Sequence, residues 1–282
     1  PAPQWVRDRL KAVGMKTISA LVDATNLIAQ DRGRPLHVFD ADKLSGNLGA
    51  RMAREGEQLA ALDGQTYALD RDTIVIADDS AAVSIAGIMG GADSGCSSET
   101  RNVFLESAWF DPARIARTGR KLGIVSDARY RFERGVDPEF VLPGLELATR
   151  LILDWCGGKP SDVVIAGALP PPHRHIEFDP GLVERLGGIR VPREEIVCIL
   201  QNLGFTVLEL AGLQVTPPSW RRDIDGPADL VEEVVRIHGL AEVPSVALSR
   251  GAAVARPVLT AAQRRSRAVR RALAARGFNE CV

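Results

Sequence analysis

The stretch "EQLAALDGQTYALDRDTIVIAD", residues 57–78, sets apolar runs on both sides of Asp63-Gly64. An Asp-Gly pair between two such runs is a strong hairpin signal, because the tight turn needs residues that accept positive φ. A further run, "TIVIAD", follows directly. The segment therefore reads as strand, turn, strand and another strand. Two more short apolar runs come next, "AVSIAGIMGG" (82–91) and "NVFLESAWF" (102–110), each of a length suited to a buried strand. Helices flank them. "SALVDATNLIAQDRG" (19–33) has Ser19 to cap its start and Gly33 to end it. "FDPARIARTGRKLG" (110–123) and "VDPEFVLPGLELATRLILDWCGG" (136–158) each open with Asp then Pro, a cap followed by a first helical position. Strands first and helices after predict an α+β fold rather than a doubly wound sheet.

Moving outward, "LPPPHRH" (169–175) is the clearest break, since its prolines favour an extended connector. Beyond it come two helical runs, "FDPGLVERLGG" and "VPREEIVCILQNLG". Two short strands follow, "FTVLEL" and "LQVTPP", then an amphipathic helix, "GPADLVEEVVRIHG" (226–239). That is a small domain of three helices with a two-stranded wing. A second break, 243–258, has no sustained period. The reading is a first domain at 1–168, a small domain at 169–246, and a linker with one further helix at 247–282. That last helix, in "TAAQRRSRAVRRALAARGF", starts with a capping box of Thr260 and Gln263. The chain stops at "NECV", where a strand should begin, so it reads as a piece of something longer.

Composition narrows the function classes. The 282 residues are 45% hydrophobic and 25% charged, which is ordinary globular usage. No run of 18 apolar residues exists, so no membrane span is expected. The start lacks a signal-peptide core. The four cysteines (Cys96, Cys156, Cys198, Cys281) are far apart, which argues against a disulfide framework or a thiolate zinc site. A cytoplasmic location fits. The net charge of −1 excludes a globally basic nucleic-acid binder but not a local basic patch.

Several constellations could carry chemistry. Asp229, Glu232 and Glu233 share a helix face, with Asp223 in the loop before them. Four carboxylates suit a hard cation such as magnesium. They equally suit a helix start that complements its dipole. Residues 111–134 carry seven Arg or Lys against three acids, with Tyr130 and Phe132 interleaved. That is either a phosphate-binding patch or a solvated helix face. Glu106 lies among large apolar residues, so it flips to solvent or lines a pocket. Gly87, Gly90 and Gly91 in "GIMGG" permit close approach of a ligand or simply make a turn. No phosphate-loop, G-x-S-x-G or H-E-x-x-H motif occurs. His37, in "GRPLHVFDAD", has no partner at metal spacing and defaults to a satisfied core histidine. His173 and His175 fall in the connector and read as solvated.

Taken together, "DATNLIAQDRGRPLHVFD", "DGQTYALDRDTIVIAD", "AGIMGGADSG", "SDARYRFERGVDP" and "PPSWRRDIDGPADLVEEVVRIHGL" resemble the β subunit of bacterial phenylalanyl-tRNA synthetase, from about residue 5 to the end. Five unlinked motifs in the family's order are far more specific than any one of them. The resemblance implies that 1–168 is a tRNA-editing domain and that 169–246 is winged-helix-like. It makes the last helix the opening of a catalytic-like class II domain. It implies hydrolysis of tRNA(Phe) mischarged with tyrosine, an error that arises because a hydrophobic pocket poorly rejects an isostere that only adds a hydroxyl.

Residue by residue, the resemblance puts Glu106 on the tyrosine phenol. Gly90 leaves room for the ring, and Ala128 stands at the pocket wall. His37 and Asn26 fall near the scissile ester and the terminal ribose, which moves His37 toward a functional role. Ser126 stands where the family often has Thr, and Lys16 where it often has Arg, losing the bidentate fork. Asp223, Asp229, Glu232 and Glu233 match ligands of a magnesium shared with the α subunit. ATP is used by the whole synthetase and is not bound by this part. The implied partners are the α subunit, in an α2β2 tetramer, and tRNA(Phe), with no membrane and no DNA. The hydrolysis expected is water attack on the ester with no covalent intermediate, since no activated Ser or Cys pairing is visible.

The alternative is a tRNA-binding and scaffolding piece without surviving hydrolysis. A transcription factor fits less well, because the helix in "VPREEIVCILQNLGFTVLEL" offers Arg193 almost alone to a DNA groove. An unrelated small-molecule hydrolase lacks its motifs.

Overall fold

The computed structural model describes residues 1–171, 175–209, 212–247 and 258–281. His173 and most of the break at 243–258 lie outside the described residues. Packing divides the chain into one compact unit, Pro1–Glu242, and a second, Val243–Val282. Among the described residues no helix is long and apolar enough to cross a membrane.

The first unit opens with α1 (Gln4–Ala12) and α2 (Ala20–Arg32). The Ser19 hydroxyl accepts from Val22 N at 3.3 Å, and Gly33 ends α2 at φ 64°. Strands β1 (His37–Asp40), β2 (Gly49–Met52), β3 (Gln58–Ala60), β4 (Thr66–Ala68), β5 (Ile74–Ala77), β6 (Ala82–Ile85), β7 (Met89–Gly90) and β8 (Val103–Glu106) follow. The hairpin forms as its turn predicts: β3 pairs antiparallel with β4, Gly64 has φ 81°, and Asp63 caps the turn by accepting from Gln65 N. The main sheet is antiparallel in the order β2-β5-β6-β7, while β1 and β8 form a separate pair. Then come α3 (Pro112–Leu122), α4 (Asp127–Phe132) and α5 (Val141–Cys156).

The core lies between the sheet and the helices that follow it. Val75 and Ile85 from the sheet, Phe39 from β1, Ile115 from α3 and Phe132 from α4 belong to one buried cluster. Each such side chain contributes about 1.5–3 kcal/mol by leaving water. The α+β class therefore holds: two helices open the unit, β1–β8 follow in one run, and α3–α5 come after them.

Two elements differ from the sequence reading. Asp111 caps α3 with Pro112 in its first turn, as expected. The second Asp-Pro pair does not open α5. Asp137 accepts from Glu139 N in a turn, and the helix starts only at Val141. The reason is Pro143. A helix begun at Pro138 would put Pro143 in its interior, where the missing N–H and the ring clash break it; starting at Val141 keeps Pro143 in the first turn. The second difference is the wing. β10 (Thr206–Glu209) and β11 (Leu213–Thr216) pair as read, but β9 (Ile176–Phe178) adds to β11 and makes three strands. Ile176 and Phe178 are buried on one face with Glu177 out, an alternation too short to detect beside the prolines.

The remaining helices are α6 (Gly181–Gly187), α7 (Arg193–Asn202) and α8 (Pro227–His238), with α6 and α7 both packed on α8. In the second unit, α9 (Ala261–Ala274) carries its capping box. Gln263 N donates to Thr260 Oγ1 at 3.3 Å, and Thr260 N donates to Gln263 Oε1 at 2.9 Å.

Candidate active site

The antiparallel pairing of β1 with β8 sets His37 directly opposite Glu106. Directly opposed residues project to the same face of a ladder. A cavity of about 70 Å³ opens there, lined by His37, Glu106, Gly90 and Ala128 among others. The strand register brings His37 and Glu106 together, and Gly90 from β7 and Ala128 from α4 complete a set of four that the resemblance had named. Residues sixteen and more apart in the chain meet here, and no local pattern in the sequence reports that.

Each group is held for a local reason. The His37 ring lies edge-on to Phe39 with centroids 4.3 Å apart, and its buried Nε2 has no hydrogen-bond partner among the described residues. Burial pushes its pKa down to about 4, so the ring is neutral at physiological pH. Burial alone raises Glu106 to about 7, so it is poised near neutrality. Both groups are thus desolvated and face a space that no group among the described residues fills. Gly90 explains itself by sterics: a Cβ there would stand 2.5 Å from His37 Cε1 and 2.9 Å from Leu62 Cδ1. Its lack of a side chain makes room for the imidazole, and the residue also lines the cavity. Gly87, at φ 67°, turns the chain under the Phe110 and Phe132 rings.

Ser126 stands behind the wall. Its hydroxyl donates to Ile88 O at 2.7 Å and accepts from Arg129 N at 3.1 Å, capping α4. It therefore ties the helix bearing Ala128 and Phe132 to the turn between β6 and β7, and its hydroxyl is committed to that bond pair. Asn26 lies half-buried on α2 and Lys16 lies exposed before that helix; neither lines the cavity. Gln30, one turn after Asn26, donates to Asp127 Oδ2 at 3.4 Å, so α2 meets α4.

Sequence reasoning missed several members. Ser84 and Phe132 also line the cavity, and the alternation in "AVSIAG" was the available signal for Ser84. Arg34, 1% exposed, donates to Ala108 O at 2.7 Å and to Asp137 O. It fastens the loop before His37 to the chain just beyond Glu106. Burial lowers it to about 10, which leaves it cationic at neutral pH.

The expected cation ligands are arranged differently. Arg221 Nη2 donates to Asp223 Oδ2 at 2.6 Å, and Arg221 Nη1 donates to Glu233 Oε2 at 2.8 Å. Arg236 also donates to Glu233, at 2.7 Å. The Arg221 hydrogen bonds hold Glu233 down at about 2. Asp229 accepts from Gly226 N at 2.9 Å and caps α8, while Glu232 is exposed. Among the described residues no group of three or more His, Cys, Asp or Glu side chains is placed to hold a metal ion. In this arrangement the four carboxylates do not fit magnesium, because a guanidinium already occupies the position between two of them.

A family model of the B3/4 domain matches residues 1–157, and one of the tRNA synthetase B5 domain matches 176–240. The two matches lie on either side of the proline connector. The phenylalanine–tRNA ligase β subunit of Rhodopseudomonas palustris is 56% identical over all of this chain, which covers 35% of that protein. The same subunit of Paramagnetospirillum magneticum is 55% identical, again over all of this chain and 35% of its own length. The chain thus spans about a third of the length of these relatives. More than half of it falls within a single family model, and so the chain belongs to the B3/4 domain family, followed by a tRNA synthetase B5 domain and similar throughout to phenylalanine–tRNA ligase β subunits.

Proposed function

We propose that this chain acts in protein synthesis as part of a phenylalanine–tRNA ligase β subunit, and that its cavity hydrolyses tyrosine wrongly esterified to tRNA(Phe). The observation that carries the proposal is the opposition of His37 and Glu106 across one cavity, with His37 Nε2 buried and unpartnered. A phenolic hydroxyl entering there donates to Glu106, whose carboxylate accepts. Phenylalanine offers no such donor and leaves the buried carboxyl unsatisfied, which penalises it. The cavity is under half the roughly 150 Å³ that admits a benzene ring, so the hydroxyl end enters first and α4 shifts for the rest.

Neutral His37 is a weak base at a pKa of about 4. Its role is to orient the attacking water or a ribose hydroxyl through a hydrogen bond at Nε2. No nucleophilic side chain is required: water attacks the ester carbonyl and the ribose oxygen leaves. The α subunit and tRNA(Phe) are the proposed partners, and the cytoplasm is the proposed location. ATP belongs to the whole synthetase. Magnesium at the Asp223 cluster remains a proposal for the assembled enzyme, conditional on Arg221 moving away.

The test is release of tyrosine from Tyr-tRNA(Phe), with Phe-tRNA(Phe) as control. Tyrosine is expected to be released faster, and Glu106→Ala is expected to collapse the tyrosine-to-phenylalanine ratio. An unchanged ratio in Glu106→Ala would remove the pocket assignment. Retained tRNA affinity with no release would favour the scaffolding reading.

A further inference from the structure

A second cavity, about 320 Å³, lies where three stretches of the first unit meet. Pro138 and Glu139 come from the turn before α5, Leu169 and Pro170 from the connector, and Pro217 and Arg222 from the loop after β11. Its chemistry is uneven. Three prolines and a leucine make an apolar wall. Arg222 borders it with no hydrogen bond or ion pair among the described residues, unlike its neighbour Arg221. Ser219 adds a hydroxyl, while that of Thr216 is already within 2.6 Å of His175 Nδ1. An arginine left unpaired beside a cavity seeks an anion, and its planar fork matches phosphate. The volume is larger than a bare phosphate needs, and it lies within the range of small-ligand pockets.

We infer that this cavity is a nucleotide subsite that receives one unpaired residue of an RNA strand: phosphate on Arg222, base against the proline wall, ribose hydroxyl donating to Glu139. The inference rests on the proposed tRNA reading and adds to it a second contact on the same molecule. The chain itself links the two cavities. Phe132 lines the first and Pro138 the second, and the six steps between them span at most about 20 Å. Gly135 lies on that path beside Arg222: a Cβ there would stand 3.4 Å from Arg222 Cγ. The two cavities are therefore close enough for one strand with its terminal residue at His37 to reach Arg222 as well.

Fluorescence anisotropy with a labelled RNA stem-loop ending in an unpaired 3′ strand tests this, against the same stem-loop ending blunt. Arg222→Gln is expected to weaken binding of the overhang RNA roughly tenfold, the loss of one charge-assisted contact. It should also lower the salt slope by about 0.7, one phosphate's share on a single strand. Ser219→Tyr, which fills the cavity and removes no charge, is expected to give a similar loss. Blunt RNA should bind wild type and variants alike. Unchanged overhang affinity in both variants overturns the subsite, and so does an equal loss with blunt RNA, which would mark a general basic contact. Far-UV circular dichroism melts identify a variant that fails to fold, and the other variant then decides. Hydrolysis of a tyrosyl ester of adenosine, too short to reach Arg222, reports on the first cavity alone. Its failure would remove the editing reading while the anisotropy still judges the subsite.

Discussion

His37 and Glu106 titrate in opposite senses, and that makes the cavity readable by stability alone. Glu106 is raised from 4.5 to about 7, so the folded state holds its proton more tightly. Its protonated form is fully compatible with burial below pH 4.5, and stability is lost as pH rises through 7. His37 is lowered from 6.5 to about 4. Its neutral form is compatible with burial above pH 6.5, and stability is lost as pH falls through 4. Each effect is at most about 3 kcal/mol, and less where the pocket mouth admits water. Between pH 4.5 and 6.5 the two slopes oppose one another. Urea midpoints measured against pH should therefore separate the variants: relative to wild type, Glu106→Gln gains stability as pH rises from 4.5 to 7, and His37→Asn gains as pH falls from 6.5 to 4. Parallel curves for all three proteins would mean that neither group is buried as described. Gly90→Ala probes the same spot sterically. The added methyl meets His37 at 2.5 Å, so the imidazole must swing away, at a cost of about 1–3 kcal/mol of overpacking. Tyrosine release should fall more steeply than the melting temperature does.

At the level of elements, α4 forms one wall of the cavity, and Ser126 is its fastening. Ser126→Ala removes both the cap on Arg129 N and the bond to Ile88 O. A lost cap costs about 1 kcal/mol, and the unpaired Ile88 carbonyl adds to it. Ser126→Thr keeps the hydroxyl and should be near neutral in both chemical denaturation and tyrosine release. Elements were the most legible part of the sequence. The Asp63-Gly64 hairpin, the Ser19 and Asp111 caps and the Gly33 stop all rest on local chemistry, and all appear where that chemistry puts them. The start of α5 did not, because two prolines competed for one helix start and the later one decided. The register of β1 on β8 was beyond reach for another reason: pairing across more than sixty residues is settled by packing. The candidate pocket residues were thus named by resemblance, and only the paired strands explain why His37 and Glu106 meet.

Across the molecule as a whole, Arg221 supplies the positive charge between Asp223 and Glu233. One guanidinium bonds both Asp223 and Glu233, and Glu233 is 6% exposed, so its charge needs a partner. The bond ties the loop after β11 to α8, and the same loop runs on to Arg222 at the second cavity. Arg221→Met takes away the partner and leaves Arg236 alone on Glu233. Losing one member of a buried pair costs about 3–5 kcal/mol when nothing replaces it; Arg236 and partial exposure bring the expected loss to roughly half that. The variant also vacates the space between two carboxylates. Magnesium calorimetry on the wild-type chain should show no saturable heat, because the cation would have to displace a hydrogen-bonded guanidinium. In Arg221→Met, magnesium should bind and restore part of the lost stability, since a ligand that binds only the folded state raises its melting temperature. Saturable binding to wild type would mean that Arg221 yields readily, and would return all four carboxylates to the ligand set. No binding to either protein would mean that Asp223 and Glu233 cannot share a cation even without the guanidinium, and would remove magnesium from this loop.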